Sequence, residues 1–462
     1  MVIDQRDAPE PAEDATPTRA PARARGRWRW RLALAVAVAL YYALWAVTAF
    51  DKVNPTDLDV FFLPAARIAL TGHPLQVYSL RVGLIYPNAN GPLSLVPLTL
   101  ASWIAEARGW LNDVMLRRAL VFVISAIFPL LVGWEAVRAL ERFGPPLRGA
   151  FRALVYLPIT LTPLLWLDAL YYGHIEQNIV VWLALASTRL LVTRRYFGGG
   201  ALLGLALLAR SDAILIVLAL ALTLLVWRRW RGVTLTVLGA IGVMALGLAP
   251  FLLADAHDLT FSLFTFRSAL PVGGGDLWSI SAAPIVVAIA QQFDAAVTLG
   301  IAALLILITH VARSDLDINS PDIYGLLTLA SFCFSMLIKT MWPYYFLESA
   351  LFATVWILAL APRRAGGRAV TAREWLVWGV HWLAPLAISG CGILAEVGLE
   401  ANNYSGWHAP WTQLNIAALL VTLAIILVTL AGGRWARSRA AQREAAPRGI
   451  LPESAPDIAI EG

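Results

Sequence analysis

The sequence predicts an all-α protein, a polytopic bundle of transmembrane helices, and three observations support this fold class. The chain has 462 residues, of which 59% are hydrophobic and only 14% are charged, with a mean hydropathy of +0.68. Soluble globular domains have about 25% charged residues. Apolar runs of the roughly 17–25 residues needed to cross a bilayer recur along nearly the whole chain. Arginines cluster at the ends of these runs, as expected when basic loops stay on the cytoplasmic side.

The apolar runs predict about twelve spans, with both termini on the cytoplasmic side. The predicted spans are 29–50, 117–137, 150–170, 177–193, 198–210, 212–227, 232–254, 280–312, 321–340, 345–361, 374–396 and 413–432. Span 280–312 is long and is interrupted by the polar stretch Gln291 to Asp294. A further apolar segment, 91–107, would put Arg-rich connections outside if it crossed, so it is predicted to be re-entrant or interfacial, and whether it crosses stays open.

The two ends of the chain differ from the membrane domain at 28–433. Residues 1–27 are rich in Pro, Ala, Arg and acidic residues without apolar periodicity, which predicts a disordered cytoplasmic tail. Residues 434–462 are likewise polar and are predicted to be a second disordered cytoplasmic tail. The first apolar run is too long for a signal peptide and lacks a small-residue cleavage site, so it is predicted to be an anchor.

Composition and motifs also narrow the function. The net charge of +6 comes from arginines at span ends, so it reports orientation and predicts no nucleic-acid partner. The two cysteines, Cys333 and Cys391, lie in apolar runs and predict buried side chains, with no disulfide or metal site. The chain has no nucleotide-binding or metalloprotease motif. We therefore expect no cofactor and a substrate that arrives already activated.

The polar, aromatic-rich loop at 51–90, after the first span, is the predicted place for chemistry. Its candidate catalytic residues are Asp57 and Asp59. Side chains two residues apart on a helix point about 200° apart, so one carboxylate is expected to act alone. The alternative is that Asp57 is a helix N-cap or a solvated loop acid. The stretch 60–70 predicts a short amphipathic helix at the membrane interface.

The predicted substrate-binding residues come from several connections on the same side as this loop. They are Tyr86, His174, Glu176, Gln177, Arg210, Arg267, Lys339, Tyr344 and Tyr345. Arg210 breaks the positive-inside distribution, and its guanidinium has the geometry to hold a phosphate. Its alternative role is a local ion pair with Asp212. His174, Glu176 and Gln177 have the alternative role of capping or joining helices.

These features resemble the GT-C membrane glycosyltransferases, in particular glycosyltransferase family 87. The resemblance covers roughly residues 30–360 and rests on an acidic loop motif, a Tyr-Pro element, a Gly-Gln-x-Asn-like turn and a glycine-rich span that ends in a basic residue. The corresponding segments are Asp57-Leu58-Asp59-Val60-Phe61, Ala65-Ala66, Gly72, Tyr78, Tyr86-Pro87, Gly173 to Asn178 and Gly198 to Arg210. The chain departs from the family pattern at Phe61, Asn88 and Arg210, where Tyr, Pro and Lys are usual.

The resemblance implies a GT-C-like, multi-pass plasma-membrane enzyme whose active face is extracytoplasmic. Its donor would be a polyprenyl-phosphate sugar, most simply mannose, and its acceptor a glycolipid or envelope glycan in contact with membrane lipids. Asp57 would be the general base of an inverting displacement, with Asp59 as the substitute. An arabinofuranosyl donor is the nearest variant. A carrier or flippase for lipid-linked substrates and a catalytically dead relative are the alternatives of another class.

Overall fold

The computed structural model describes most of the chain between residues 57 and 445. The described residues are 36–37, 40, 57–79, 87–110, 112–143, 147, 149–162, 172–266, 270, 272, 275–281, 283–339, 341–361, 372–401 and 411–445. The chain divides into two units, Met1–Leu44 and Trp45–Gly462. In the first unit the three described residues are helical. The predicted tail at 1–27 and most of the predicted span 29–50 lie outside the described residues.

Every regular element among the described residues is helical, which confirms the predicted fold class. The α-helices are α1 (Leu63–Leu70), α2 (Pro92–Ala107), α3 (Val114–Ser125), α4 (Ile127–Arg142), α5 (Gly149–Thr160), α6 (Ile175–Val192), α7 (Tyr196–Ala209), α8 (Ile214–Val226), α9 (Trp230–Thr260), α10 (Pro284–Ala312), α11 (Ile323–Leu337), α12 (Leu347–Ala359), α13 (Ala372–His381), α14 (Leu383–Ala401) and α15 (Trp411–Ala445). A π-helical turn, Leu58–Phe62, leads into α1.

Six helical segments of the described chain are long and apolar enough to cross a membrane, by length and composition. They are Val114–Arg142, Ile175–Val192, Trp230–Thr265, Pro284–Ala312, Leu376–Leu399 and Trp411–Gly432. Five further apolar helices are shorter, and Pro92–Ala107, the segment predicted to be re-entrant or interfacial, is among them. The protein is therefore a multi-pass helical membrane protein.

Two sequence expectations are corrected by the helix boundaries. Helix α10 runs without a break through the polar stretch Gln291 to Asp294, because Gln and Asp side chains lower helix propensity only slightly. Helix α15 continues to Ala445, so the first part of the tail predicted at 434–462 is helical. That part of the sequence is rich in Ala and Arg, which are strong helix formers.

The helices differ in how deeply they lie in the bundle. In α6, 83% of the apolar window is buried by the rest of the protein, against 11% in the segment Trp230–Thr265. Helix α6 is therefore central, and α9 offers most of its surface to the surroundings. Because the surface of α9 is apolar and exposed, its outer side is suited to contact with lipid.

Helices α7 and α9 lie against each other through glycines. A Cβ atom on Gly200 would come within 2.0 Å of the backbone oxygen of Thr236, and one on Gly204 within 2.6 Å of that of Ala240. The offset between the paired residues is the same at both contacts, so the two helices run parallel and begin at the same end of the bundle. Small residues that let helix backbones approach closely are typical of packing in membranes.

Candidate active site

The candidate site is built where the loop before α1 meets the beginning of α6. Asp57 directly precedes the π-helical turn, but its side chain makes no capping hydrogen bond, so the N-cap alternative does not describe it. Gly173 has a φ of +83°, a value that favours glycine. A Cβ atom there would lie 2.5 Å from the Cβ of Leu58. Glycine at this turn therefore allows the Asp57 loop to approach His174 closely.

A hydrogen-bonded chain joins Asp57 to the interior through His174. The Nε2 atom of His174 lies 2.9 Å from Oδ2 of Asp57, and its Nδ1 atom lies 2.5 Å from Oε1 of Glu176. The Tyr344 hydroxyl donates to the same Asp57 oxygen at 3.3 Å, and the Tyr344 ring stacks on the imidazole with centroids 3.9 Å apart. The Asp57 side chain is 31% exposed and that of Glu176 only 1%. Asp57 is thus the accessible end of this series of hydrogen bonds.

The charge state of His174 follows from its two carboxylate neighbours. Burial lowers the pKa of the imidazole, but the charges and hydrogen bonds of Glu176 and Asp57 outweigh burial and raise that pKa from 6.5 to about 9. His174 is therefore an imidazolium at neutral pH, and both of its ring N–H groups donate. In this form it fixes the orientation of the Asp57 carboxylate.

The side chain of Arg210 is buried beside this series of hydrogen bonds. Its side chain is 1% exposed, and its Nε atom lies 2.7 Å from Oδ2 of Asp212, although not in line for a hydrogen bond. The charges of Glu348 and Glu176 also act on it, and its guanidinium lies over the Tyr345 ring at 5.1 Å. This geometry favours the ion-pair alternative for Arg210, because a phosphate would have to compete with several buried carboxylates.

Asp59 points to different partners from Asp57. Arg118 donates from Nε to Oδ2 of Asp59 at 3.0 Å and also from Nη2, and Arg117 donates to Oδ1 at 3.3 Å. Sequence analysis did not identify these two arginines, which stand near the start of α3. A usable signal was present, since with 29–50 and 117–137 as the first two spans both arginines fall at a predicted outer span end, against the positive-inside distribution. The two predicted catalytic acids therefore occupy separate environments.

Four residues of the predicted substrate-binding set remain, of which Lys339 and Gln177 lie in the described chain. Lys339 lies 3.9 Å from Asp294 and donates to the backbone oxygen of Gln291 at 3.4 Å. Gln177 is 1% exposed, and its Oε1 has no hydrogen-bond partner within the described structure. Tyr86 and Arg267 lie outside the described residues. Of the predicted set, the structure brings together Asp57, His174, Glu176, Arg210, Tyr344 and Tyr345.

Aromatic rings border the Asp57 carboxylate on the Tyr344 side. Tyr172 lies 5.5 Å from Tyr344 between ring centroids, and Trp342 stacks on Tyr344 at 6.2 Å. Such rings offer an apolar face together with a polar tip, which suits a ligand that has both apolar and hydroxyl-bearing parts. Within the described ranges, no group of three or more His, Cys, Asp or Glu side chains is placed to hold a metal ion.

Comparisons with known proteins leave the site to be judged by its own geometry. No protein-family profile and no curated protein sequence matches the chain. Among solved structures, the crystal structure of ArnT from Cupriavidus metallidurans bound to undecaprenyl phosphate is similar over 93% of this chain and 81% of that chain. The TM-score is 0.45 and the sequence identity 12%.

Proposed function

We propose that the protein is a membrane glycosyltransferase of the GT-C type that uses a polyprenyl-phosphate sugar as donor. The observation on which the proposal rests most is the Asp57 carboxylate. It is held through Oδ2 by His174 and Tyr344 and is partly exposed beside a group of aromatic rings. A carboxylate fixed in this way can take a proton from an acceptor hydroxyl that approaches from the open side.

In the proposed reaction, the acceptor hydroxyl oxygen attacks the anomeric carbon of the donor while Asp57 takes its proton. The bond between that carbon and the phosphate oxygen breaks, and the lipid phosphate leaves with the electron pair. A single displacement of this kind inverts the configuration at the anomeric carbon. His174 acts as a positioning residue, because its charge and its Nε2 hydrogen bond hold Asp57 in place while its Nδ1 bond to Glu176 fixes the ring.

The leaving phosphate needs positive charge placed in advance. Arg117 and Arg118 both contact Asp59, so two guanidinium groups lie together beside the loop that also contains Asp57. Arg210, by contrast, is one guanidinium among the carboxylates of Asp212, Glu176 and Glu348. We therefore assign the phosphate to the Arg117 and Arg118 pair, with Asp59 as the anchor that orients it.

The donor sugar is proposed to be mannose, and the acceptor a glycolipid or envelope glycan on the extracytoplasmic face of the plasma membrane. An arabinofuranosyl donor would use the same displacement and the same base. A carrier of lipid-linked substrates is the rival from another class. The chemical fate of the substrate distinguishes the two.

The test is transfer of radiolabel by the purified protein in proteoliposomes, with polyprenyl-phosphate mannose and polyprenyl-phosphate arabinofuranose as alternative donors and a lipid extract as acceptor. The proposal predicts that label from one donor enters a new, less hydrophobic lipid and that polyprenyl phosphate is released. Label that crosses the bilayer while the donor stays chemically intact would support the carrier. If neither donor reacts, the proposal is wrong for both sugars.

A further inference from the structure

A second polar region lies at the opposite end of α6, away from the candidate active site. His174 directly precedes α6 and Arg194 follows its last residue by two positions, so about 27 Å of helix separates them. Here a cavity of about 630 Å³ is lined by Arg194, Tyr196, Arg228, Arg229, Trp230, Arg231, Gly232 and Leu235. Four of these eight residues are arginines, and two are aromatic.

The cavity is formed by two copies of one short sequence. Leu-Leu-Val-x-Arg-Arg-aromatic occurs at 190–196, as LLVTRRY, and again at 224–230, as LLVWRRW. Each copy joins two helices with the same hydrogen bonds. The backbone N–H groups of Arg194 and Arg228 donate to the carbonyl three residues back. Those of Arg195 and Arg229 donate to the carbonyl five residues back. This is the Schellman pattern that ends a helix.

The arginines occupy backbone positions that favour other residues. Arg194 has a φ of +60° and Arg228 of +53°, in the left-handed region where a Schellman turn usually has glycine. Arg195 and Arg229 are the N-caps of α7 and α9, and neither helix has a side-chain cap hydrogen bond. Positive charge at a helix N-terminus is electrostatically unfavourable. Arginine therefore stands at two positions where the backbone favours glycine, and at two positions where the helix dipole favours an acidic residue.

A bound anion would interact favourably both with the arginines and with the positive dipole ends of the two helices, and so would offset the repulsion between them. Helices α7 and α9 run parallel and both begin at the cavity, so their first N–H groups and their positive dipole ends lie together with the arginines. Arg229 is held by Asp317 at 2.8 Å. Arg194, Arg228 and Arg231 are exposed, so their guanidinium groups can reach a ligand.

The surroundings indicate where the anion comes from. Trp230 is 63% exposed and Phe197 58%, and both stand in the first turns of the two helices. The rest of α9 is apolar and faces outward from the bundle. A phosphate bound here would sit at the edge of the bilayer, with room for acyl chains along the outer surface of α9. Basic pockets between transmembrane helices bind phospholipid head groups in this way.

We propose that this cavity is a binding site for the phosphate head group of an anionic phospholipid. Orientation of the chain by the positive-inside rule explains why arginines lie at a span end. It does not explain a repeated motif with arginine in the left-handed position, or two helix starts and exposed aromatic rings at one cavity. The site is independent of the proposed transferase function and would exist in a carrier as well.

The test uses the double variant Arg194→Gly/Arg228→Gly, because glycine suits both left-handed positions and the fold should be kept. Native mass spectrometry of the purified protein would measure binding of phosphatidylglycerol, of phosphatidylcholine and of inorganic phosphate. We expect wild type to prefer phosphatidylglycerol and the variant to bind it about 30-fold more weakly. The matched control Arg138→Gln/Arg142→Gln removes the same charge from the end of α4 and should bind as wild type does.

Three results would overturn the proposal. Equal binding of phosphatidylglycerol by wild type and the glycine variant would show that the arginines serve orientation alone. An equal loss in the control would mean that total charge, and not this cavity, determines lipid binding. If inorganic phosphate bound as tightly as phosphatidylglycerol and displaced it, the ligand would be a soluble phosphate and not a lipid.

Discussion

At the scale of single residues, Asp57 and Asp59 have different partners although they stand two positions apart. Asp57 is held by a histidine and a tyrosine hydroxyl and stays partly exposed, whereas Asp59 is held by two arginines. A base must reach a substrate proton, and a carboxylate bound by two guanidinium groups cannot do so without breaking those contacts. The proposed roles of base and anchor follow from this difference.

A pH titration tests the network around His174. The pKa of His174 is about 9 in the folded protein against an ordinary 6.5, so its contribution to stability is fully present below pH 6.5 and is lost as the pH rises through about 9. We therefore expect wild type to unfold at a higher temperature than His174→Gln at pH 6, with the difference shrinking by pH 9.5. Thermal unfolding in detergent across this range measures it. A difference that stays constant would show that His174 does not contribute through its charge.

Single residues also set the limit of what the sequence could predict about the site. Asp57, His174, Glu176, Tyr344 and Tyr345 lie close together in the structure, and the sequence places all five near span ends predicted to share one side of the membrane. The individual contacts could not be predicted, because Asp57, His174 and Tyr344 are far apart in the sequence. The pairing of Asp59 with Arg117 and Arg118 depends on how the π-helical turn aims each carboxylate, and no residue pattern encodes that direction.

At the scale of helices, glycine decides how closely α7 and α9 approach. We predict that Gly200→Ala lowers the stability of the protein by about 1–3 kcal/mol, because the added methyl group meets the backbone of α9 and not a flexible side chain. The matched control is Gly242→Ala, in α9, where a Cβ atom would meet nothing within 4 Å. This change should be neutral or stabilising by up to about 1 kcal/mol, because alanine favours helix.

Unfolding temperatures of the two variants in detergent provide the measurement. If Gly200→Ala and Gly242→Ala behaved alike, close packing of α7 on α9 would not be a stabilising feature of the fold.

Helix boundaries show where periodicity is informative and where it is not. Apolar runs identified nearly every described helix, since burial in lipid or protein requires such runs. The predicted span 232–254 ends just before Asp255, whose non-helical φ of −160° marks a change of direction within α9, but the apolar runs did not predict that helical structure continues beyond it to Thr260. Hydropathy marks where an apolar span ends, and it gives no signal for a polar helical turn that follows.

At the scale of the whole molecule, α6 separates two regions of opposite character. The end at His174 has carboxylates and aromatic rings around one enclosed arginine, Arg210, and the end at Arg194 has four arginines around one cavity. The positive-inside rule predicts that the arginine end is cytoplasmic, and so the Asp57 end is predicted to be extracytoplasmic.

Cysteine labelling tests this orientation. The two native cysteines, Cys333 and Cys391, are buried and should not react. Thr71 and Thr193 are both exposed, near the Asp57 end and the arginine end respectively. A membrane-impermeant maleimide added to intact cells should label Thr71→Cys and leave Thr193→Cys unlabelled until the membrane is permeabilised. The opposite pattern would reverse the predicted orientation and place the candidate active site in the cytoplasm.

The most direct test of the account compares the turnover of Asp57→Asn and Asp59→Asn in the radiolabel transfer assay, with donor binding measured separately. If Asp57 is the general base, its amide variant should lose about 100-fold to 10,000-fold in kcat while still binding the donor. Asp59→Asn should mainly raise the donor KM, because it disturbs the arginines assigned to the phosphate. Near-normal kcat in Asp57→Asn, or a larger loss of kcat in Asp59→Asn, would contradict the assignment of Asp57 as the base.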